Sequence, residues 1–554
     1  MIFHISNKII IAIILCFGSI FDSNSQTLIS SIEAETGILT GVSLSNQSGN
    51  SSGKFVTGFD ASGDKLRLTI SVLTSATYKL TVFNKSPFGN KNQDFYLDGV
   101  KISSVFFPTS ISFVETVLSK VFLTAGNHTI EIINDWGYVD LDKFNIYTNP
   151  LNSYNITPNL IDPLATIEAK NLYTYLISQF GKKIISGQTD TYFDNLKAIA
   201  TKTPMLRAYD FQKYTQGYPY LWVNNAHAFG ADPNALETEN AINWYNNTTQ
   251  KKGIINFHWH WHSPSGGTAG KNTFYTEFTT FDVRQAIISG TPENILILQD
   301  IDAIAVQLKK MQNAKIPVVW RPLHEAGGAW FWWGAKGSAA SKKLYDIVYD
   351  RIVNYNDIHN LIWVWSTPES DWYPGNSKVD MIGYDSYPGA FNYTEQKNIF
   401  DQLYTIVNGQ KLIAMSENGP IPDIQRCLDA DAPWSYFMSW SNLVTSQNTN
   451  QHIIDVYTNP SVLTIENNTL GLGNFESKSN NEIGSIKYFP NPFNDYFTIE
   501  TGSEIGVYTI FDLSGKLIEK GMSNQLIGKN LPKGTFLIKV ETIQKNFEFK
   551  VIKN

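Results

Sequence analysis

The stretch Ile316-Pro317-Val318-Val319-Trp320, followed by Arg321-Pro322-Leu323-His324-Glu325, decides the fold of this 554-residue chain. The apolar run predicts a short buried strand. A guanidinium, an imidazole and a carboxyl come just after it, and then the aromatic run Trp330-Phe331-Trp332-Trp333. Flat apolar rings exclude water from a neighbouring carboxyl, which raises its pKa and favours a proton donor.

The same rhythm of a short apolar strand and a longer helix-like stretch recurs from residue 160 to residue 465. Eight segments read as buried strands: Lys183–Gly187, Pro204–Tyr209, Gly253–His258, Ile316–Trp320, Asn360–Trp365, Val379–Gly383, Lys411–Met415 and Trp434–Trp440. Helical periodicity lies between them, as at Asp302–Ala314 and Ala340–Tyr355. Eight such units predict an α/β fold, the (β/α)₈ barrel, whose chemistry lies at the C-terminal ends of the strands.

The regions on either side of the barrel have other patterns. In residues 28–148, apolar and polar residues alternate in short runs that are separated by turn residues. This pattern predicts an all-β sandwich. Residues 486–554 predict a small all-β domain, and polar stretches at 149–159 and 476–485 predict two linkers. Residues 1–25 have the pattern of a signal peptide, and their apolar run is too short to span a membrane.

Composition narrows the class of ligand. The net charge is −7 with no basic stripe, which argues against a nucleic-acid partner. Charged residues make up 17% of the chain, whereas it has 14 Trp, 27 Tyr and 33 Phe, a balance that suits an extracellular protein with neutral, hydroxyl-rich ligands. Removal of the signal leaves only Cys427, so we expect no internal disulfide and a small buried hydrophobe at this position.

A second carboxyl follows the seventh predicted strand. Glu417 stands in Met415-Ser416-Glu417-Asn418-Gly419, and Glu325 follows the fourth strand. A barrel brings both strand ends to one mouth, where two carboxyls facing each other across a sugar can hydrolyse a glycosidic bond. Either glutamate alone would more simply be a surface carboxylate, so the prediction depends on the pair.

Other side chains follow strands at the same predicted mouth. Tyr384 follows the sixth strand and is predicted to hold the nucleophilic carboxylate through its hydroxyl, the alternative being ordinary packing. Trp440 ends the eighth strand and is predicted to form the floor under the cleaved sugar, the alternative being a core indole. His324 directly precedes Glu325 and is predicted to bond a sugar hydroxyl or orient the nucleophile.

The histidine run Phe257-His258-Trp259-His260-Trp261-His262 raises a competing prediction. Histidines at alternate positions of a strand share a face and suggest a metal-dependent hydrolase. We favour substrate hydrogen bonding and stacking, because the sequence has no clear second histidine cluster at a late strand and no obvious bridging lysine.

Residues 162–465 resemble glycoside hydrolase family 26, whose best-known members are β-mannanases. The residues that carry the resemblance are Arg321–Gly334, Gly383-Tyr384-Asp385 and Ser416-Glu417. It implies a (β/α)₈ barrel in which Glu325 is the acid/base and Glu417 the nucleophile of a retaining reaction. It also implies substrate contacts from five further residues: His260, His324, Trp330, Tyr384 and Trp440. Ala326-Gly327 stands where Met-Asn often follows the acid, which puts subsite preference in doubt but not the reaction.

The N-terminal module, residues 28–148, resembles carbohydrate-binding module family 35. The resemblance lies in Glu33-Ala34-Glu35 and in Trp136-Gly137-Tyr138-Val139-Asp140-Leu141-Asp142. It implies a structural Ca²⁺ held by Glu33, Glu35 and Asp142, with Trp136 and Asp140 in contact with sugar. The alternative is a β-sandwich spacer without a ligand.

The C-terminal domain resembles a type IX secretion sorting domain. Tyr488-Phe489-Pro490-Asn491-Pro492-Phe493, Phe511–Lys516 and Leu531–Phe536 carry this resemblance. It implies export by dedicated secretion machinery and agrees with the signal peptide.

The resemblances together imply a secreted or surface-displayed, monomeric endo-β-1,4-mannanase that needs no cofactor for catalysis. The alternatives within the family are a mannobiose-releasing exo-mannanase, a β-1,3-xylanase and a β-1,3-1,4-glucanase. From another class, the alternative is a non-catalytic polysaccharide-binding surface protein.

Overall fold

A computed structural model describes residues 26–47, 54–149, 151–250, 252–468, 481–483, 486–500, 506–512, 515–523, 526–541 and 546–554. The chain forms two compact units that divide between Asn468 and Thr469. The predicted signal peptide lies outside the described residues. Among those that are described, no helix combines the length and the apolar character that a membrane span needs.

The N-terminal module is a β-sandwich of two antiparallel sheets. One sheet has the order β3-β4-β11-β6-β9, with β1 also paired to β11, and the other has the order β2-β5-β10-β7-β8. Strand β5 alternates between buried and exposed residues, as a half-buried strand does. The strands are β1 (Leu28–Glu33), β2 (Ile38–Thr40), β3 (Ser43–Leu44), β4 (Val56–Thr57), β5 (Lys65–Val72), β6 (Ala76–Ser86), β7 (Lys91–Leu97), β8 (Val100–Phe107), β9 (Ser110–Leu123), β10 (Gly126–Trp136) and β11 (Asp140–Thr148).

The barrel is closed by eight parallel strands in the order β13-β14-β17-β18-β19-β20-β21-β22. Two short pairs lie outside it: β12 with β23, and the hairpin β15–β16. The strands of this unit are β12 (Ile184–Ile185), β13 (Gly187–Thr189), β14 (Leu206–Asp210), β15 (Leu221–Val223), β16 (Ala226–Ala228), β17 (Ile254–His258), β18 (Val318–Arg321), β19 (Leu361–Trp365), β20 (Met381–Ser386), β21 (Leu412–Asn418), β22 (Phe437–Ser439) and β23 (Val462–Leu463).

The first barrel strand lies later than the sequence predicts. The segment predicted at Lys183–Gly187 contains β12, which pairs with β23 outside the barrel. The strand that joins the barrel is β13, between β14 and β22. Both short segments are buried, so hydrophobicity alone does not separate them.

Helices surround the barrel, and five of the described α-helices (α1, α4, α5, α8 and α10) begin at a residue whose side chain caps the first turn. Helix α5 begins after Thr291, whose hydroxyl accepts from the Asn294 amide, with Pro292 in its first turn. The helices are α1 (Ile167–Gln179), α2 (Phe193–Ala200), α3 (Glu237–Asn243), α4 (Val283–Ala286), α5 (Pro292–Asn313), α6 (Ser338–Tyr349), α7 (Lys397–Val407), α8 (Ile424–Asp429), α9 (Leu443–Ser446) and α10 (Asn450–Thr458). Cys427 of α8 is fully buried.

The segment 151–159 has no helix or strand, but it is bonded to the barrel rather than free of it. The backbone N–H of Asn152 donates to Asp431 at 2.6 Å, and that of Asn155 donates to the Gly409 carbonyl at 2.9 Å. The N-terminal module adds an ion pair of 2.8 Å between Lys120 and Asp401 of α7. Residues 151–159 of the predicted linker are thus hydrogen-bonded along the surface of the barrel domain.

The C-terminal unit is all-β. Its described strands form one sheet of β24-β25-β26 and another of β28-β27-β29-β30. Strand β24 falls within the predicted linker 476–485, so part of that segment is strand; residues 476–480, 484 and 485 lie outside the described part of the chain. The strands are β24 (Asn481–Ile483), β25 (Ile486–Phe489), β26 (Thr498–Glu500), β27 (Val507–Phe511), β28 (Leu517–Met522), β29 (Gly534–Glu541) and β30 (Asn546–Lys553).

Candidate active site

The turn that follows β18 aims Glu325 into the barrel mouth. Glu325 adopts φ +53°, in the left-handed region that side chains rarely occupy. Its backbone N–H donates to the Ser366 carbonyl after β19 at 3.0 Å, which fixes the turn to the neighbouring strand end. Strained backbone held in this way often accompanies a functional side chain.

Three carboxylates converge at the mouth. Oxygens of Glu325, Asp385 and Glu417 all lie within 4.8 Å of one another. The fully buried guanidinium of Arg321 balances two of them, with Nη1 3.0 Å from Asp385 and Nη2 bonded to Glu417. Nη1 also donates to Ser366 at 2.9 Å. The sequence predicted the two glutamates, and the structure brings them together.

The phenol that contacts Glu417 belongs to Tyr387, not to Tyr384 as the sequence predicts. The Tyr387 hydroxyl donates to Oε2 of Glu417 at 2.7 Å. Tyr384 packs against the apolar layer outside the strands, together with Ile382. Asp385 has the opposite orientation and accepts from Ser416 at 2.7 Å. Side chains alternate along a strand, so Asp385 and Tyr387 share the inner face that Tyr384 cannot reach.

Burial and charge separate the two glutamates chemically. Burial raises the pKa of Glu325, and the nearby Asp385 and Glu417 carboxylates raise it further. Burial also raises the pKa of Glu417, but Arg321 opposes this rise, so Glu417 remains the more acidic of the two. The arrangement favours a protonated Glu325 facing an ionised Glu417, as an acid and a nucleophile require.

A chain of hydrogen bonds orients the two histidines of the mouth. Oδ2 of Asp210 lies 2.7 Å from Nδ1 of His260, and Nε2 of His260 lies 3.3 Å from Nε2 of His324. Burial disfavours the Asp210 carboxylate, but His260, which bonds it through both its ring and its backbone N–H, outweighs that effect and lowers its pKa. Burial and Arg321 hold the pKa of His324 well below its usual value, so this imidazole is neutral.

The aromatic run divides into a cleft wall and a core. Trp330 is 49% exposed, and its Nε1 donates to Oε2 of Glu325 at 2.9 Å. Trp332 and Trp333 are buried and donate to the carbonyls of Trp261 and His324. Only Trp330 among these three therefore offers a face to a ligand.

Trp440 lies beside the histidines, where a floor to the mouth would be. Its ring centroid is 5.1 Å from that of His258 and 5.6 Å from that of His260. The indole is half-buried rather than enclosed in the core.

The predicted row of three histidines is not formed. Strand β17 ends at His258, and His262 turns away to bond Thr273. His258 and His260 converge instead with Asp210, and this group and the Glu325–Asp385–Glu417 group are the described sets that offer three metal-binding side chains within 4.8 Å. Burial lowers the pKa of His258 to about 3, so its imidazole is neutral.

The predicted residues of the N-terminal module are only partly in the expected positions. Trp136 is 61% exposed and available to a ligand. Asp140 is buried, accepts from Thr57 and forms an ion pair with Lys85 at 3.2 Å. The prediction that Asp140 touches sugar is therefore wrong, because β11 turns this carboxylate inward.

The predicted calcium ligands occupy adjoining elements. Glu33 lies opposite Lys143 in the β1–β11 ladder, next to the fully buried Asp142, and Glu35 lies in the following turn. They are not among the described groups of three whose ligand atoms converge within 4.8 Å.

Four further residues of the mouth were not predicted from the sequence: Asp210, Ser366, Asp385 and Tyr387. Each stands at or just beyond the end of a barrel strand, which was the available signal. What the sequence lacks is the orientation of each side chain, because the strands of a parallel barrel are buried on both faces.

Comparison with protein families assigns all three parts of the chain. The sequence model of glycosyl hydrolase family 26 matches residues 161–467. That of carbohydrate binding module family 35 matches residues 30–148, and that of a secretion system C-terminal sorting domain matches residues 487–554.

Individual relatives match across the first two parts together. A mannan endo-1,4-β-mannosidase of Thermothelomyces thermophilus is 35% identical, over 80% of this chain and 91% of the relative. Mannan endo-1,4-β-mannosidase B of a Piromyces species is 32% identical, over 81% of this chain and 79% of the relative. The crystal structure of a GH26-CBM35 β-(1,4)-mannanase of Podospora anserina matches with 34% identity and a TM-score of 0.57, over 80% and 99%.

Proposed function

Because the chain belongs to glycosyl hydrolase family 26, we propose that it cleaves the interior β-1,4 bonds of mannan, galactomannan or glucomannan with retention of configuration. The observation that carries this proposal is the approach of Glu325 and Glu417 oxygens to within 4.8 Å. Retaining glycosidases hold their carboxyls about 5–5.5 Å apart, whereas inverting enzymes leave about 6.5–9.5 Å for a water molecule.

The reaction takes place by double displacement. Glu417 attacks the anomeric carbon while Glu325 protonates the departing glycosidic oxygen. Arg321 and Tyr387 both bond the Glu417 carboxylate, so they hold it ionised and aligned for attack. Glu325, deprotonated by the first step, then removes a proton from water, and the water releases the sugar from Glu417.

The sugar lies among the residues that surround the pair. His260 and His324 bond its hydroxyls, since Asp210 orients His260, and His260 in turn contacts His324, the residue before Glu325. Trp440 forms the floor beside these histidines, and Trp330 offers its exposed face next to the acid. Aromatic faces of this kind stack on sugar rings and exclude water.

The preference for mannan is supported by relatives that are named mannan endo-1,4-β-mannosidases and are 32–35% identical over most of the chain. To test it, the purified protein is incubated with mannan, galactomannan, xylan and mixed-linkage glucan, and products are resolved by size. Long mannan oligosaccharides appear first if the enzyme is an endo-mannanase. Mannobiose alone would show exo action, and products from xylan or glucan alone would show another specificity.

Two variants separate catalysis from binding. Glu417→Ala and Glu325→Ala should each abolish mannan hydrolysis. Both variants should still bind insoluble mannan, since Trp136 and the rest of the N-terminal module are unchanged. Normal release of reducing sugar by both variants would contradict the mechanism. Its absence in the unaltered protein would favour a polysaccharide-binding protein instead.

Chelation tests the metal alternative. The Asp210–His258–His260 group has the donor types of a transition-metal site, with two imidazoles and a carboxylate. In the proposed mechanism these residues bind sugar directly, so EDTA should leave the hydrolysis of soluble oligosaccharides unchanged. Loss of activity that Zn²⁺ restores would require a metal-dependent reaction.

The N-terminal module binds polysaccharide through Trp136 and holds a structural Ca²⁺ with Glu33, Glu35 and Asp142. All three are oxygen donors, as a hard cation prefers, and one of them is fully buried. Ca²⁺ should raise the melting temperature of the full chain, and Asp142→Asn should remove that increase. No response to Ca²⁺ would contradict the assignment.

The chain is exported and acts outside the cell. The sorting domain at residues 487–554 supports export, and the signal peptide at residues 1–25 supplies the first step. We expect the active enzyme to be a monomer, which light scattering of the purified protein would test.

A further inference from the structure

Glu369, in the loop after β19, lies directly against the turn that carries the acid. A side chain added at Gly327 would place its Cβ 2.4 Å from Oε2 of Glu369 and 3.1 Å from Thr367. A contact of 2.4 Å is shorter than real Cβ atoms make, so a side chain at position 327 would push the end of the flexible Glu369 side chain out of this position. Glu369 thus occupies the space that a side chain two residues after Glu325 would fill.

The neighbouring glycine supports the exposed tryptophan in the same way. A Cβ at Gly328 would lie 2.1 Å from the ring of Trp330, whose Nε1 is bonded to Glu325. The absence of side chains at Gly327 and Gly328 therefore leaves space for two neighbouring side chains, the Trp330 ring and the Glu369 carboxylate, next to the turn that carries the acid.

Hydrogen bonds fix the loop of Glu369 relative to Glu325. The backbone N–H of Glu325 donates to the Ser366 carbonyl at 3.0 Å, and that of Ala326 donates to the Thr367 hydroxyl at 3.0 Å. Glu369 follows two residues later, so its position depends on the same contacts as that of the acid.

The Glu369 carboxylate remains available as an acceptor. The residue is exposed, and among the residues that the structure describes none donates a hydrogen bond or an ion pair to its side chain. Its charge also contributes, after burial and Asp385, to the raised pKa of Tyr384, which packs outside the strands. A carboxylate that has no hydrogen-bond partner among the described residues can accept hydrogen bonds from the hydroxyl groups of a ligand.

We propose that Glu369 binds the sugar on the leaving-group side, accepting hydrogen bonds from the hydroxyls of the unit that Glu325 releases by protonation. This inference rests on the proposed function. The released unit must lie beside Glu325, where Trp330 offers a face for stacking and Glu369 offers its oxygens. Glu369 is then a determinant of which sugar is accepted after the cleavage point.

Two substrates separate this role from a structural one. Mannopentaose places a sugar beside Glu369, whereas methyl β-mannobioside, whose leaving group is an alcohol, needs the acid equally but presents only a methyl group there. Glu369→Ala should lower kcat/KM about 10-fold on mannopentaose, mostly through KM, since a hydrogen bond to a carboxylate is lost. The same variant should stay within about 2-fold of the unaltered enzyme on methyl β-mannobioside.

Two further variants check the geometry. Gly327→Ala should reproduce the pattern of Glu369→Ala, because the new Cβ displaces the carboxylate without removing it. Asp371→Asn changes an exposed carboxylate in the same loop and should leave kcat/KM on both substrates unchanged.

Other outcomes overturn the inference. Equal losses on both substrates would mean that Glu369 positions Glu325 rather than binding sugar, and no loss on either would mean that it has no role. If the unaltered protein cleaves neither substrate, the proposed function itself fails, whatever the variants do.

Discussion

Arg321 and Glu417 form a buried ion pair at the centre of the barrel mouth, and Asp385 shares the same guanidinium. Their side chains are 0% and 5% exposed, so each charge depends on the other for compensation. The pair sets the ionisation of the nucleophile, because Arg321 opposes the rise in the pKa of Glu417 that burial causes.

Replacing Arg321 should therefore change the pH dependence of the reaction. Arg321→Lys keeps a positive charge but loses the planar fork that contacts Ser366, Asp385 and Glu417. The pKa of Glu417 then rises, so the acidic limb of the kcat/KM profile moves to higher pH. We expect kcat/KM to fall about 10- to 100-fold, as loss of hydrogen bonds to a charged group implies. An acidic limb at its original pH would contradict this account.

Tyr384 of the sixth barrel strand and Tyr387, which directly follows that strand, offer a matched pair. Tyr387→Phe removes the donor 2.7 Å from Oε2 of Glu417, a bond to a charged group worth about 1.5–3 kcal/mol. We expect kcat to fall about 10- to 100-fold, whereas Tyr384→Phe should stay within about 2-fold, because that ring packs outside the strands. Initial rates on mannopentaose decide the matter, and a slower Tyr384→Phe enzyme would reverse the assignment.

Asp210 should act through His260. Its Oδ2 bonds Nδ1 of His260, which leaves Nε2 facing His324. Asp210→Asn preserves shape but removes the charge that fixes this tautomer, so kcat/KM should fall about 10-fold. NMR of ¹⁵N-labelled imidazoles should also show a mixture of His260 tautomers. Unchanged tautomers together with an unchanged rate would exclude a positioning role.

Asp300 should make the stability of the barrel depend on pH. It is buried in α5 and accepts from Nε1 of Trp261 at 2.8 Å. Burial raises its pKa from 3.8 to about 7, so the folded protein holds a proton that the unfolded chain releases. The bound proton therefore contributes to the free energy of unfolding. This contribution is fully present below pH 4 and is lost as the pH rises to about 7, which lowers the free energy of unfolding by up to about 4 kcal/mol.

Asp300→Asn tests that dependence, since it keeps the acceptor but cannot ionise. Urea unfolding of both proteins at pH 4, 5.5 and 7 gives their free energies of unfolding. The value for the variant should increase relative to that of the unaltered protein as the pH rises. A constant difference across this range would mean that Asp300 does not hold the proton.

The barrel and both glutamates could be predicted from the sequence. Eight apolar runs of strand length alternate with helical periods, and Glu325 and Glu417 each follow such a run. Topology then brings them together, since all strands of a parallel barrel end at one mouth. The comparisons confirm the families that the motifs predicted for the barrel, for the N-terminal sandwich and for the C-terminal sorting domain.

Orientation could not be predicted from the same pattern. Ile382 and Tyr384 face outward while Asp385 and Tyr387 face inward, but both faces of β20 are largely buried, so no alternation of polarity shows which is which. Asp140 was misassigned for a related reason, because the buried strand β11 turns its carboxylate towards Thr57 and Lys85.

The anomeric configuration of the first product tests the central claim most directly. ¹H NMR during early hydrolysis of mannopentaose, recorded before mutarotation, shows which anomer the enzyme releases. Double displacement by Glu417 and Glu325 predicts the β-anomer, because two inversions restore the starting configuration. Initial release of the α-anomer would mean a single displacement by water and would contradict the account.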